Sequence, residues 1–129
     1  MSGNPVGWFE IYVQDLARAR AFYEAVLGVK LESLPVPDGG ELPDLEMCAF
    51  PSNMETYGAP GALVRSGSVP SGGNSTVVYF SCEDCAQEES RVAAAGGQVH
   101  RGKMSIGRYG FIALVHDPDG NLIGLHSLR

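Results

Sequence analysis

Cysteine is scarce: the chain holds three, an odd number that cannot all pair within one molecule, which predicts a reducing compartment. Basic charge is scarce as well. Nine Lys and Arg stand against fifteen Asp and Glu, a net charge of -6, and the basic residues are scattered. That excludes the basic face a nucleic acid requires and the polybasic cluster an anionic membrane requires. No apolar run approaches the length of a bilayer span. The opening Met1-Ser2-Gly3-Asn4-Pro5 has neither the basic region nor the apolar core of a secretory signal. Blocks of like charge are missing too, while 44% of the 129 residues are hydrophobic, so one globular domain over 1–129 with a real core is predicted. Together these absences lead to the expectation of a soluble cytoplasmic protein.

What is present is a repeat. Phe9, Ile11 and Val13 alternate with more polar residues, the period of a strand with one face on a core. Asp15 then stands where an N-cap is needed, and Leu16, Ala19, Phe22, Tyr23, Val26 and Leu27 follow at helical spacing up to Gly28. Further on, Val78, Phe80 and Cys82 alternate, Asp84 takes the cap position, and a helix over Cys85 to Ala95 ends at Gly96-Gly97. Gln87 is placed to complete a capping box with Asp84. The interval from Asp15 to Asp84 equals that from Gly28 to Gly97, which identifies a duplicated module.

Strand-like pieces follow each helix. They are Val29 to Leu34, Leu45 to Phe50 and Gly61 to Arg65 in the first copy, and Gln98 to Arg101, Tyr109 to His116 and Asn121 to Leu128 in the second. Pro35, Pro37, Asp38-Gly39-Gly40 and Pro43 break the first series, and Asp117-Pro118-Asp119-Gly120 reads as a tight hairpin turn. The Gly, Ser and Pro of Ser66 to Ser75 make a linker. The chain thus divides into a first module over about 5–66, a linker over about 66–75 and a second module over about 76–129. Cys82 and Cys85 have C-x-x-C spacing, but without a second pair for zinc or a thioredoxin-like pattern they read as a buried strand residue and a helix start.

Asp15 with Ala19, Phe22-Tyr23, Leu27-Gly28, Gly96-Gly97 and Asp117-Pro118-Asp119-Gly120-Asn121 together make the chain resemble the vicinal oxygen chelate (glyoxalase/bleomycin resistance/extradiol dioxygenase) superfamily. The resemblance implies an α+β fold of two tandem βαβββ modules whose curled sheets enclose a cavity, with the helices outside. It also implies a small-molecule ligand, and commonly a homodimer. Metal-dependent members draw His or Glu ligands from the first and last strands of each module. Here the first-strand positions hold Trp8 and Val77, the last-strand position holds Gly124, and the fourth strand, Gly61-Ala62-Leu63-Val64, offers no ligand.

Two residues along from those positions, strand alternation offers Glu10 and His126 on the cavity side. If they meet, they form either a carboxylate-imidazole pair for proton transfer next to a carbonyl or a displaced partial site for a divalent metal such as Zn, Ni, Mn or Fe. The competing reading makes Glu10 a solvated strand residue and His126 a surface or interface histidine. Trp8, Tyr12 and Tyr79 share the same face, as the wall of an organic-ligand pocket or as packing between sheets. Arg108, flanked with Tyr109 by Gly107 and Gly110, is either a lip that favours an anionic ligand group or part of a simple turn. Three functions remain open: an isomerase, epimerase or lyase using Glu10 and His126; a non-catalytic binder that sequesters a toxic or antibiotic compound; and a metal-dependent glyoxalase-type lyase.

Overall fold

A computed structural model describes residues 3–35, 44–53 and 55–129. The first module runs β1 (Phe9–Tyr12), α1 (Leu16–Leu27), β2 (Glu32–Leu34), β3 (Glu46–Ala49) and β4 (Gly61–Arg65). The second runs β5 (Val78–Ser81), α2 (Cys85–Arg91), β6 (Gln98–Ser105), β7 (Phe111–His116) and β8 (Leu122–Ser127). Each module forms a four-stranded mixed sheet, in the orders β1-β4-β3-β2 and β5-β8-β7-β6. In each the first strand lies parallel to the last and the remaining pairs are antiparallel. Identical strand order in both halves makes the duplication read from the caps a structural one. The fold is therefore the α+β pairing of two βαβββ modules; among the described residues the sheets do not close into a barrel, and open clefts lie along them.

The expected cap residues act as caps. Asp15 accepts a hydrogen bond from the Arg18 amide at 3.1 Å, and Asp84 accepts one from the Ala86 amide at 3.0 Å. Gly28 ends α1 in the left-handed conformation at φ 68°. The second copy departs from this pattern. Its helix stops at Arg91 rather than Ala95, because the following bonds tighten, Val92 to Glu89 and Gly96 to Ala93, both at 3.2 Å. Gly96 takes the positive φ, whereas Gly97 is needed because a Cβ there would press on the Phe22 ring and the His116 carbonyl. Among the described residues Gln87 makes no side-chain bond to Asp84; the Asp84 carboxylate instead accepts from Lys103 Nζ at 2.8 Å. Strand β2 is shorter than the pattern suggested, and β6 extends to Ser105 past two register shifts. Pro37, Asp38-Gly39-Gly40 and Pro43 lie outside the described residues.

Alternation sorts each strand into two faces. Ile11 and Val13 are buried with Ala19, Phe22, Tyr23 and Val26 of α1, and Leu125, Ala113 and Val115 are buried in the second sheet. The seam between modules is aromatic: Phe80 meets Phe50 at 5.4 Å, Tyr23 at 5.9 Å and Phe9 at 6.0 Å between ring centroids. The two modules therefore share one core, and each ring buried there contributes on the order of 2 kcal/mol. Cys48 and Cys85 are buried; Cys82 is only half-buried, and desolvation still pushes its thiol up to about 12. Such a thiol stays protonated near neutral pH, which makes Cys82 a poor nucleophile.

The Asp117 turn does more than reverse the chain. Asp117 is buried, and its Oδ1 accepts from the amides of Asp119 and Asn121, both at 2.9 Å. Its Oδ2 accepts from the Tyr23 hydroxyl at 2.8 Å and from Asn121 Nδ2 at 3.0 Å. Asn121 also donates to the Tyr12 carbonyl at 3.0 Å and accepts from the Gly72 amide at 2.7 Å. The segment read as a linker is thereby tied down, with Ser71 Oγ donating to the same Tyr12 carbonyl at 2.6 Å. Across the helices, the Arg91 guanidinium donates to the Val26 carbonyl at 3.0 and 2.9 Å and satisfies an end carbonyl of α1.

Tyr23→Phe is expected to lower unfolding free energy at neutral pH by about 1–3 kcal/mol, measured by denaturant titration, because Asp117 loses one of four donors. Burial, then the Asp117 charge, holds the Tyr23 phenol well above its ordinary 10.0. Folding thus favours the neutral phenol: this stabilisation is complete below about pH 10 and is lost as pH rises beyond it. The wild type should lose stability above that pH more steeply than Tyr23→Phe.

Candidate functional site

On the face of β1 turned away from the core, Trp8, Glu10 and Tyr12 stand in a row. Trp8 Nε1 donates to one Glu10 oxygen at 3.1 Å, and the Tyr12 hydroxyl donates to the other at 2.9 Å. The carboxylate is thus oriented from both sides, by Trp8 just before β1 and by Tyr12 at its end. Its hydrogen bond to Tyr12 is the main reason that the Tyr12 phenol ionises above its ordinary value. Glu10 and Tyr12 line a cleft of about 230 Å³ at the seam of the modules, with Val78 and Leu122 opposite and Val69 and Pro70 of the linker at its side.

A second cleft, of about 570 Å³, lies over β5 and β8 and is lined by Val6, Tyr57, Tyr79, Cys82, His126 and Leu128, among others. Tyr57, Leu128, Val6 and Tyr79 expose 88%, 78%, 63% and 47% of their surface, so large apolar groups crowd one opening. Tyr79 pairs across the sheet with Gly124, and a Cβ on Gly124 would collide with the Tyr79 ring. His126 Nε2 lies 2.7 Å from the Tyr109 carbonyl oxygen. A carbonyl only accepts, so Nε2 carries the proton, and in the neutral ring Nδ1 is left as an acceptor.

The structure joins Glu10 with Trp8 and Tyr12, and His126 with Tyr79, but it does not join Glu10 with His126. The two line different clefts, and among the described residues they share no hydrogen bond or ion pair. Arg108 belongs to the helical turn Gly107–Tyr109; its guanidinium lies 5.0 Å from the Tyr109 ring centroid and donates to the Tyr109 hydroxyl at 2.9 Å. It lines neither of these clefts. Sequence reasoning missed Val6, Tyr57 and Leu128. Val6 and Leu128 were open to the same alternation that placed Trp8 and His126, whereas Tyr57 sits in a loop with no periodic signal.

Nor do the residues present fit a divalent metal. The expected ligand positions hold Trp8, Val77 and Gly124, and the space a side chain at Gly124 would need is taken by Tyr79. Among the described residues no group of three or more His, Cys, Asp or Glu is placed to hold an ion, and a protein site ordinarily needs three or four ligands.

Residues 6–125 match the family model of the Glyoxalase/Bleomycin resistance protein/Dioxygenase superfamily. CFP32 of Mycobacterium bovis, a protein provisionally named a glyoxylase, is 29% identical over 123 residues, which are 95% of this chain and 45% of that protein. The chain thus spans less than half the length of this curated relative. Among solved structures, glyoxalase I from Zea mays superposes with a TM-score of 0.72 and 25% identity, covering 96% of this chain and 46% of that one. TnmS3, an antibiotic binding protein from Streptomyces sp. CB03234, superposes with a TM-score of 0.66 and 24% identity over 98% of both chains, a likeness of fold alone.

Two outcomes follow from this geometry. EDTA is expected to leave the melting temperature unchanged, and calorimetric titration with Zn²⁺ or Ni²⁺ should show no stoichiometric uptake. Stoichiometric uptake abolished by both Glu10→Ala and His126→Ala would contradict this. Gly124→Ala should cost about 1–3 kcal/mol in denaturant titration, since the Tyr79 ring must leave its rotamer to admit a methyl group.

Proposed function

The chain belongs to the Glyoxalase/Bleomycin resistance protein/Dioxygenase superfamily, and on that premise we propose that it binds a small, largely apolar organic molecule in the cleft over β5 and β8. One observation carries this reading: Val6, Tyr57, Tyr79 and Leu128 present apolar surface to solvent around a single opening of about 570 Å³. Covering those groups with an aromatic or alicyclic ligand releases water from them, and a few polar groups set the orientation. His126 supplies one such group, its Nδ1 accepting from a hydroxyl or N–H of the ligand.

The isomerase, epimerase or lyase reading pairs Glu10 with His126, and their placement in separate clefts lends it no support. Loss of turnover of a carbonyl substrate by about 100-fold or more in both Glu10→Gln and His126→Ala would restore it.

Naphthol and naphthalene are suitable matched probes. Naphthol should bind saturably in calorimetry, and Tyr79→Ala should weaken it by about tenfold through lost ring contact. His126→Phe should bring naphthol down to the affinity of naphthalene. Equal binding of naphthol by the wild type and both variants would sink the proposal.

A further inference from the structure

The smaller cleft, at the seam of the modules, has a chemistry of its own. Glu10 is the only Lys, Arg, His, Asp or Glu among its lining residues. Both of its oxygens are held, but by neutral donors, the Trp8 indole and the Tyr12 hydroxyl, at 3.1 and 2.9 Å. Among the described residues Glu10 forms no ion pair within 4.0 Å, although five other pairs are made elsewhere. The carboxylate is thus pre-oriented and its charge is uncompensated. The Tyr12 ring lines the cleft beside it, while Trp8, which is not among the lining residues, holds it by the indole N–H. Opposite stand Val78, Leu122 and Ile123, with Val69 and Pro70 from the linker; the neutral polar residues Asn74, Thr76 and Asn121 complete a wall that carries no second charge.

We propose that this cleft is a binding site for a small organic cation, a substituted ammonium carrying an apolar group, recognised by the Glu10 carboxylate beside the Tyr12 ring. The cationic head lies against the carboxylate, and the apolar substituent fills the space of about 230 Å³ against Val78 and Leu122. An anionic ligand meets an unpaired carboxylate and no basic side chain, and is rejected. The linker forms part of the wall, and it is held there by Ser71 and Gly72, through the Tyr12 carbonyl at 2.6 Å and Asn121 at 2.7 Å. The wall is therefore in place before a ligand arrives. This site is distinct from the cleft over β5 and β8, so its failure leaves the function proposed there standing.

Trp8 is the single tryptophan of the chain and donates directly to Glu10, so its fluorescence responds when Glu10 is engaged. Benzyltrimethylammonium, benzyl alcohol and phenylacetate present one aromatic group with a positive, neutral and negative head. The cation is expected to give a saturable fluorescence change with an affinity at least roughly tenfold above that of the alcohol, and phenylacetate none. Glu10→Gln should remove that advantage, with binding followed by ligand-observed NMR because the Trp8 bond itself is altered. Glu32→Gln, an exposed carboxylate on β2, removes the same unit of charge elsewhere and should leave binding unchanged. Equal affinities for cation and alcohol overturn the proposal. So does an equal loss in Glu10→Gln and Glu32→Gln, which would reduce the effect to the overall charge of -6.

Discussion

The buried carboxylate of Asp117 is the point on which the two halves of the molecule depend. It is removed from water, and such a charge is tolerable only if its lone pairs are satisfied. Two of its donors are amides of its own turn; the others are the hydroxyl of Tyr23 in the first module and the side chain of Asn121. Asn121 then passes the constraint on to the end of β1 and to the linker. One turn in the second module thus sets where β1, α1 and the linker sit against it. The aromatic seam of Phe9, Tyr23, Phe50 and Phe80 supplies the apolar burial around this polar lock.

Given that placement, strand alternation does the rest. One face of β1 enters the shared core through Ile11, and the other turns outward Trp8, Glu10 and Tyr12. The same alternation in β5 puts Phe80 into the seam and Tyr79 over Gly124. A glycine in the last strand leaves room, and an aromatic ring from the neighbouring strand takes it. The position from which metal-dependent relatives draw a carboxylate is thereby converted into apolar wall. Across this one register pair, the volume that a side chain at position 124 would need is held by the Tyr79 ring.

Separation of Glu10 from His126 shapes the chemistry as much as either residue does. General acid/base work needs both groups within reach of one substrate. Here each stands in its own cleft with its own partners: Glu10 between an indole and a phenol, His126 fixed on a backbone carbonyl. Arg108, stacked on Tyr109, brings no positive charge to the lining of either cleft.

Much of the fold is legible in the chain itself. Capping by Asp15 and Asp84, the left-handed Gly28, the β1 and β5 alternation and the equal spacing of the two copies are local properties, set by residues a few positions apart. The same locality makes the outward row of Trp8, Glu10 and Tyr12 readable from alternation alone. The lengths of α2 and β6 are not readable in that way, because the first gives way after Arg91 to tighter three-residue bonds and the second follows its pairing with β7. Nor is the role of Asp117, which looks like any turn residue until Tyr23 lies beside it. The capacity for two clefts, their distinct linings and the separation of Glu10 from His126 are decided only in three dimensions. Side chains remote in sequence meet through the docking of one module on the other, and no local period encodes that docking.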